Sequence, residues 1–152
     1  MYPSFEDLKG LLSGHSVAPA SVADYEVEPN EARVRVRFTG KLTVDVIARY
    51  ATALRNDSGF DSAWSEIVDL RAVEEIEITA EQAIVLADRI DPFSVSSRRA
   101  FVVKNDLQRH SARMQQILRS PFKTIGIFDT VAEAEVWVKN PEHSAPTPVG
   151  YP

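Results

Sequence analysis

Few residues of this chain have types and spacings that could do chemistry. Its three histidines, His15, His110 and His143, lie far apart in sequence. A histidine metal site usually draws its ligands from tight spacings, as in H-E-x-x-H on one helix face. Cysteine is absent, which removes a thiolate nucleophile, a disulfide framework and cysteine-ligated metals or clusters. The six glycines are dispersed, without a G-x-G-x-x-G or Walker pattern to cradle a phosphate. Ser94, Ser96 and Ser97 cluster, yet no histidine neighbours them and no G-x-S-x-G elbow is present. Nothing assembles a nucleophile, a base and an orienting group, so the chain reads as a non-enzyme with no cofactor and no metal.

Two polar groupings remain. The first lies at a strand end. Ile67 and Val68 centre a short buried strand that ends near Asp69, and the next helix opens at Thr79. Ligands often bind at the carboxyl edge of an α/β sheet, so Asp69 and Thr79 are candidate site residues. The competing role of Asp69 is to cap a loop amide. That of Thr79 is to cap its helix, because Thr79-Ala80-Glu81-Gln82 has the form of a capping box. Glu74, Glu75 and Glu77 read as a solvated face.

The second grouping is basic. Arg109 and Arg113 stand one helical turn apart, and Arg98, Arg99, Arg119 and Lys123 are near in sequence. From Arg98 to Lys123 seven basic residues accompany one acid, whereas from Glu66 to Asp91 eight acids accompany two basic residues. The basic run is either an ordinary solvated helix face or a patch for an anionic partner: a phospholipid surface, a phosphorylated ligand or an acidic protein. Nucleic acid is not expected, because the net charge is −5 and no aromatic residues interleave with the patch.

These side chains must be held by secondary structure, and hydrophobic periodicity supplies it. Tyr25 and Val27 begin a short strand, and Pro29-Asn30 is a turn. Val34, Val36 and Phe38 alternate with Arg33, Arg35 and Arg37, a half-buried strand with a charged outer face. A helix capped by Thr43 turns Val44, Ile47, Ala48, Ala51 and Leu54 inward. The helix opening at Thr79 runs to Asp91-Pro92, with Ala83, Ile84, Ala87 and Ile90 as its apolar face. Ala100-Phe101-Val102-Val103 is an unbroken apolar run, suited to a sheet covered on both faces. Asp106 caps a helix to about Leu118, with Leu107, Met114, Ile117 and Leu118 inward. A strand over Ile125–Phe128 and a helix opened by Thr130 and Glu133, with Val131, Ala134, Trp137 and Val138 inward, complete the series.

The element order is β-β-α-β-α-β-α-β-α. It predicts an α/β fold: a single, mostly parallel sheet with an antiparallel edge strand, and helices packed against it. Phe38, Ile67, Val68, Phe101, Val103 and Ile127 should be buried in that sheet. Residues 1–23 are expected to form a short helix and a linker, 24–139 the domain, and 140–152 a loose tail with four prolines. A chain of 152 residues, 44% apolar and 26% charged, suits one globular domain. No run approaches the roughly 18 apolar residues of a membrane span. The acidic, interrupted start is unlike a signal peptide. The expected location is cytoplasmic.

Short motifs add a family resemblance. Val36-Arg37-Phe38-Thr39-Gly40-Lys41-Leu42-Thr43, Ile67-Val68-Asp69-Leu70-Arg71, Arg98-Arg99-Ala100-Phe101-Val102-Val103, Ile127-Phe128-Asp129-Thr130 and Ala134-Glu135-Val136-Trp137 resemble the SpoIIAA-like group of STAS/SEC14-type domains. The resemblance covers residues 24–139 and implies that fold. STAS members that act as anti-sigma-factor antagonists carry a phosphorylated Ser in an Asp-Ser-Ser-Gly motif. The matching stretch here is Glu77-Ile78-Thr79-Ala80, where Ile78 replaces the Ser and Ala80 the Gly. The resemblance therefore implies a regulatory, protein-binding module without that switch. The partner would be another protein or a second copy of the chain. Its SEC14 side implies a small apolar ligand or lipid, as an alternative carrier function.

Overall fold

A computed structural model describes residues 22–118 and 124–139. The expected helix near the N-terminus, the tail from residue 140, His15, His143, Arg119 and Lys123 lie outside the described residues. The elements are β1 (Val22–Glu28), β2 (Arg33–Thr43), α1 (Val44–Arg55), β3 (Ser65–Glu77), α2 (Ala80–Val85) continuing as a π turn (Leu86–Ile90), β4 (Arg99–Val102), α3 (Asp106–Leu118), β5 (Ile125–Phe128) and α4 (Val131–Lys139). The sheet order is β1-β2-β3-β4-β5. β1 is antiparallel to β2, and every later pair is parallel. This is the expected fold class.

Connectivity decides which face each helix covers. Each crossover from β2 to β5 steps one strand in the same direction, so a constant right hand places α1, α2 and α3 on one face. There Tyr50, Leu54 and Ala112 pack with Val34, Val36, Phe38, Val68 and Val103. The opposite face is reached by the chain that follows β5. α4 lies there, packing Ala134, Trp137 and Val138 on Ile67, Ala100, Val102 and Phe128. Successive β4 residues thus serve two different cores, as their unbroken apolar run requires.

The alternation of β2 holds, but its charged face is not simply solvated. Arg33 is only 5% exposed. It donates to Glu28 at 2.8 Å, while Arg35 bridges Glu28 and Glu135 of α4 at 3.4 and 2.8 Å. β3 is longer than expected, passing Asp69 and running on to Glu77. Its partner explains this. β2 continues through two register shifts, with Gly40 at φ 74° supplying a backbone that other residues rarely adopt. Its far end still pairs, from Thr39 with Ala72 to Thr43 with Glu77.

Three expected faces are corrected. On α3, Leu107 and Ile117 point to solvent, the latter 56% exposed, while Gln108 and Ala112 are buried. A polar residue can take the buried position because its hydrogen bonds are made: Gln108 Nε2 donates to the Val73 carbonyl and Oε1 accepts the Lys104 N–H. Asn105, not Asp106, caps this helix, accepting the Gln108 N–H at 2.9 Å. Under this small, polar helix face Phe101 and Ile127 are only half-buried, while Phe38, Ile67, Val68 and Val103 are buried as expected. The helix after Thr79 is α-helical only to Val85; it then widens, with the Asp91 N–H bonded to the Leu86 carbonyl. The inward face runs through Ala83, Leu86, Ala87 and Ile90, and Ile84 is 47% exposed.

The capping box at Thr79 is present. Thr79 Oγ1 accepts the Gln82 N–H at 3.1 Å, and Gln82 Oε1 accepts the Thr79 N–H at 3.0 Å. Thr79→Ala is expected to lose about 1 kcal/mol in a urea titration. An unchanged midpoint would mean that the cap contributes nothing to stability.

Candidate functional site

On the three-helix side a cavity of about 100 Å³ lies between the sheet and the helices. Ile47, Tyr50 and Ala51 of α1 form one wall, and Ser111 and Gln115 of α3 the other. The π turn contributes Leu86, Ala87 and Ile90, and the sheet Phe38, Leu42, Val68, Leu70 and Phe101. Arg55 of α1 donates to the Ile90 carbonyl and ties the π turn to its neighbour.

The cavity also meets a polar network of two buried residues, Tyr50 and Glu66, and two half-buried ones, Asp91 and Arg99. Glu66 of β3 and Arg99 of β4 are register partners, so the sheet itself sets their side chains beside each other. Arg99 Nε donates to Glu66 Oε1 at 3.0 Å, and its two Nη atoms donate to the Asp91 carboxylate at 2.6 and 2.7 Å. Tyr50 donates its hydroxyl to Glu66 Oε2 at 2.6 Å. Burial first, then the neighbouring Glu66 carboxylate, push the Tyr50 hydroxyl well above its ordinary pKa. It therefore remains a donor at neutral pH. Aromatic rings brace the network: Phe38 meets Tyr50 edge-on at 5.6 Å, and the Arg99 guanidinium lies 4.7 Å over Phe93. Among the described residues, Glu66, Asp91 and Arg99 are the charged groups that line the cavity. The arrangement is suited to holding a small molecule in a fixed orientation.

The residues singled out from sequence do not form one site. Asp69 faces away from the cavity, on the α4 side with Ile67. Burial raises its pKa, but Arg71 hydrogen bonds and charge, with Arg37 behind them, outweigh this and hold the carboxyl below its usual value. Asp69 therefore neither caps a loop amide nor stands open: it accepts the Arg71 N–H and its guanidinium at 2.9–3.0 Å. From Asp69 the strand runs on to Glu77, about 26 Å at 3.3 Å per residue, so Thr79 lies at a different place.

The basic residues are dispersed as well. Arg98 and Arg99 are consecutive and point to opposite faces of the sheet. Arg98 stacks on Trp137 with its guanidinium carbon 4.1 Å from the ring centroid, and donates to the Trp137 carbonyl. Arg99 is half-buried and held in the network. Arg109 pairs with Asp129, and Arg113 is half-buried on α3.

Sequence reasoning missed Tyr50, Glu66 and Asp91. A faint signal existed for one pair: Glu66 and Arg99 each sit at the entry of a buried strand, opposite in charge and matched in parity with Val68 and Phe101. Only the β3–β4 register joins them.

No protein-family model matches the chain, and no curated protein does. Solved structures do. One is an uncharacterized protein of the DUF3478 family with a SpoIIAA-like fold from Shewanella loihica PV-4. It is 15% identical with a TM-score of 0.58, over 82% of this chain and 99% of that one. Another is an anti-sigma factor antagonist from Mycobacterium paratuberculosis, 16% identical with a TM-score of 0.57, over 81% of this chain and 98% of that one. Identities this low carry the fold alone. The chain has a SpoIIAA-like fold, as its short motifs imply. Among the described residues no helix is long and apolar enough to cross a membrane.

Proposed function

We propose that the chain is a non-enzymatic regulatory module that docks a protein partner on the α2–α3 side of its sheet. The observation that carries this reading is the exposure of Ile84 and Val85 on α2 and of Leu107 and Ile117 on α3. Single exposed apolar side chains need no explanation, and Val95 and Val136 are of that kind. Four large ones on two helices of one side are the material of an interface. A structure with the same fold is described as an anti-sigma factor antagonist, which suits a regulatory role. In our reading no phosphorylation switch operates at the start of α2, because Ile78 occupies the Ser position and Thr79 is committed to its cap.

Native mass spectrometry of protein purified from its own host tests this. A stoichiometric protein complex is expected for the wild type. At least tenfold weaker assembly is expected for Ile84→Asp/Ile117→Asp, with an unchanged melting curve. A wild type that appears only as the bare chain, or a variant that assembles equally well, sinks the proposal.

A second reading, a carrier of a small apolar molecule, is favoured by the cavity beneath the same helices.

A further inference from the structure

We propose that the cavity takes a small neutral molecule, an apolar body carrying one hydroxyl, and that α3 recognises the hydroxyl through Ser111 and Gln115. This rests on the carrier reading and names the ligand class that would be recognised.

The head-group site lies on α3. Ser111 and Gln115 both line the cavity, and both are half-buried. Four residues apart, they stand one above the other on one face of the helix. The other glutamines of this helix are committed to backbone groups. Gln108 bonds the Val73 carbonyl and the Lys104 N–H, and Gln116 donates to the Ile125 carbonyl at 3.0 Å. Among the described residues, neither Ser111 nor Gln115 makes a side-chain hydrogen bond. Gln115 offers an amide donor and a carbonyl acceptor, and Ser111 a hydroxyl that can serve as either. A ligand hydroxyl is likewise donor and acceptor, so one such group can bond both side chains at once.

A charged head has less to gain there. Arg99 is bonded to Glu66 and to Asp91, and Tyr50 donates to Glu66, so these groups already serve one another. An ammonium or a carboxylate seated on α3 would exchange its water for two neutral dipoles, a poor return for desolvating a charge.

The opposite wall and the volume fix the body. The sheet closes that side with Phe38, Val68, Leu70 and Phe101, whose side chains carry no hydrogen-bonding group. The volume of about 100 Å³ lies between the ~30 Å³ share of one water and the ~150 Å³ cavity that accepts benzene, which suits a body of roughly four to five carbons.

Four probes share one cyclopentyl body: cyclopentanol, cyclopentane, cyclopentylamine as its ammonium ion, and cyclopentanecarboxylate. Each is titrated into the full chain at pH 7 and followed by amide NMR shifts. Cyclopentanol is expected to bind about tenfold more tightly than either ion. Gln115→Met, which keeps the volume, should weaken cyclopentanol about fivefold, the loss of one neutral hydrogen bond, and leave cyclopentane unchanged. Ser111→Leu, which fills the cavity from α3, should remove the binding of both neutral probes while the melting curve stays cooperative. An ion that binds as tightly as cyclopentanol, or a Gln115→Met chain that holds cyclopentanol as tightly as the wild type, overturns the hydroxyl assignment and leaves the carrier reading standing. Failure of all four probes overturns both. Unchanged cyclopentanol binding to a folded Ser111→Leu places the ligand elsewhere and overturns the site.

Discussion

Arg99→Met is expected to destabilise the fold by about 3–5 kcal/mol, because it removes the guanidinium to which both the Glu66 and the Asp91 carboxylates are bonded. The arginine joins three elements: its own strand, Glu66 on β3, and Asp91 just after the π turn. Methionine keeps much of the volume, so the loss reports charge rather than packing. Urea titration at pH 7 measures it, and a loss under 1 kcal/mol would show that the network contributes little. The double variant Arg99→Met/Glu66→Leu should lose less than the sum of its single variants, since removing the second charge relieves the first. Strict additivity would mean that the two side chains are not coupled.

Trp137→Ala should be of comparable size, about 3–5 kcal/mol. Trp137 is 4% exposed and packs on Phe128 with ring centroids 5.5 Å apart, while Arg98 covers its ring. Gly126 makes room for this packing: a Cβ there would stand 2.7 Å from the Phe128 ring and 3.4 Å from Trp137. The far face of β3, β4 and β5 rests on α4, and its indole is the largest side chain in that contact. Trp137→Phe keeps a ring in place and should lose distinctly less. Equal losses for the two variants would mean that the helix, not the ring, supplies the stability.

How much of this was legible depended on whether the signal was local. The β2 alternation, the caps at Thr43, Thr79 and Thr130, and the two-sided burial of β4 are local, and all are present. The α3 face was misread because a fully bonded glutamine outcompeted leucine and isoleucine for the buried positions. The α2 face was misread because Ile84 and Leu86 are both large and apolar, and the regular face through Ala83, Ala87 and Ile90 takes Leu86 and leaves Ile84 outside. The site itself was the least legible. Glu66, Asp91 and Tyr50 come from three separate elements, and Arg99 reads as one more member of a basic run until the register places it beside Glu66.

The strand order carries a consequence for the timing of folding. Every strand pairs with its neighbours in sequence, so the sheet can be assembled in order as the chain is synthesised, each new strand meeting one already made. The far face cannot keep pace. Arg35 finds Glu135 across a separation of 100 residues, and Ile67, Ala100, Val102 and Phe128 stay uncovered until α4 has been made. A sheet formed before α4 docks would present one bare apolar side, the surface through which a partly folded chain is expected to aggregate.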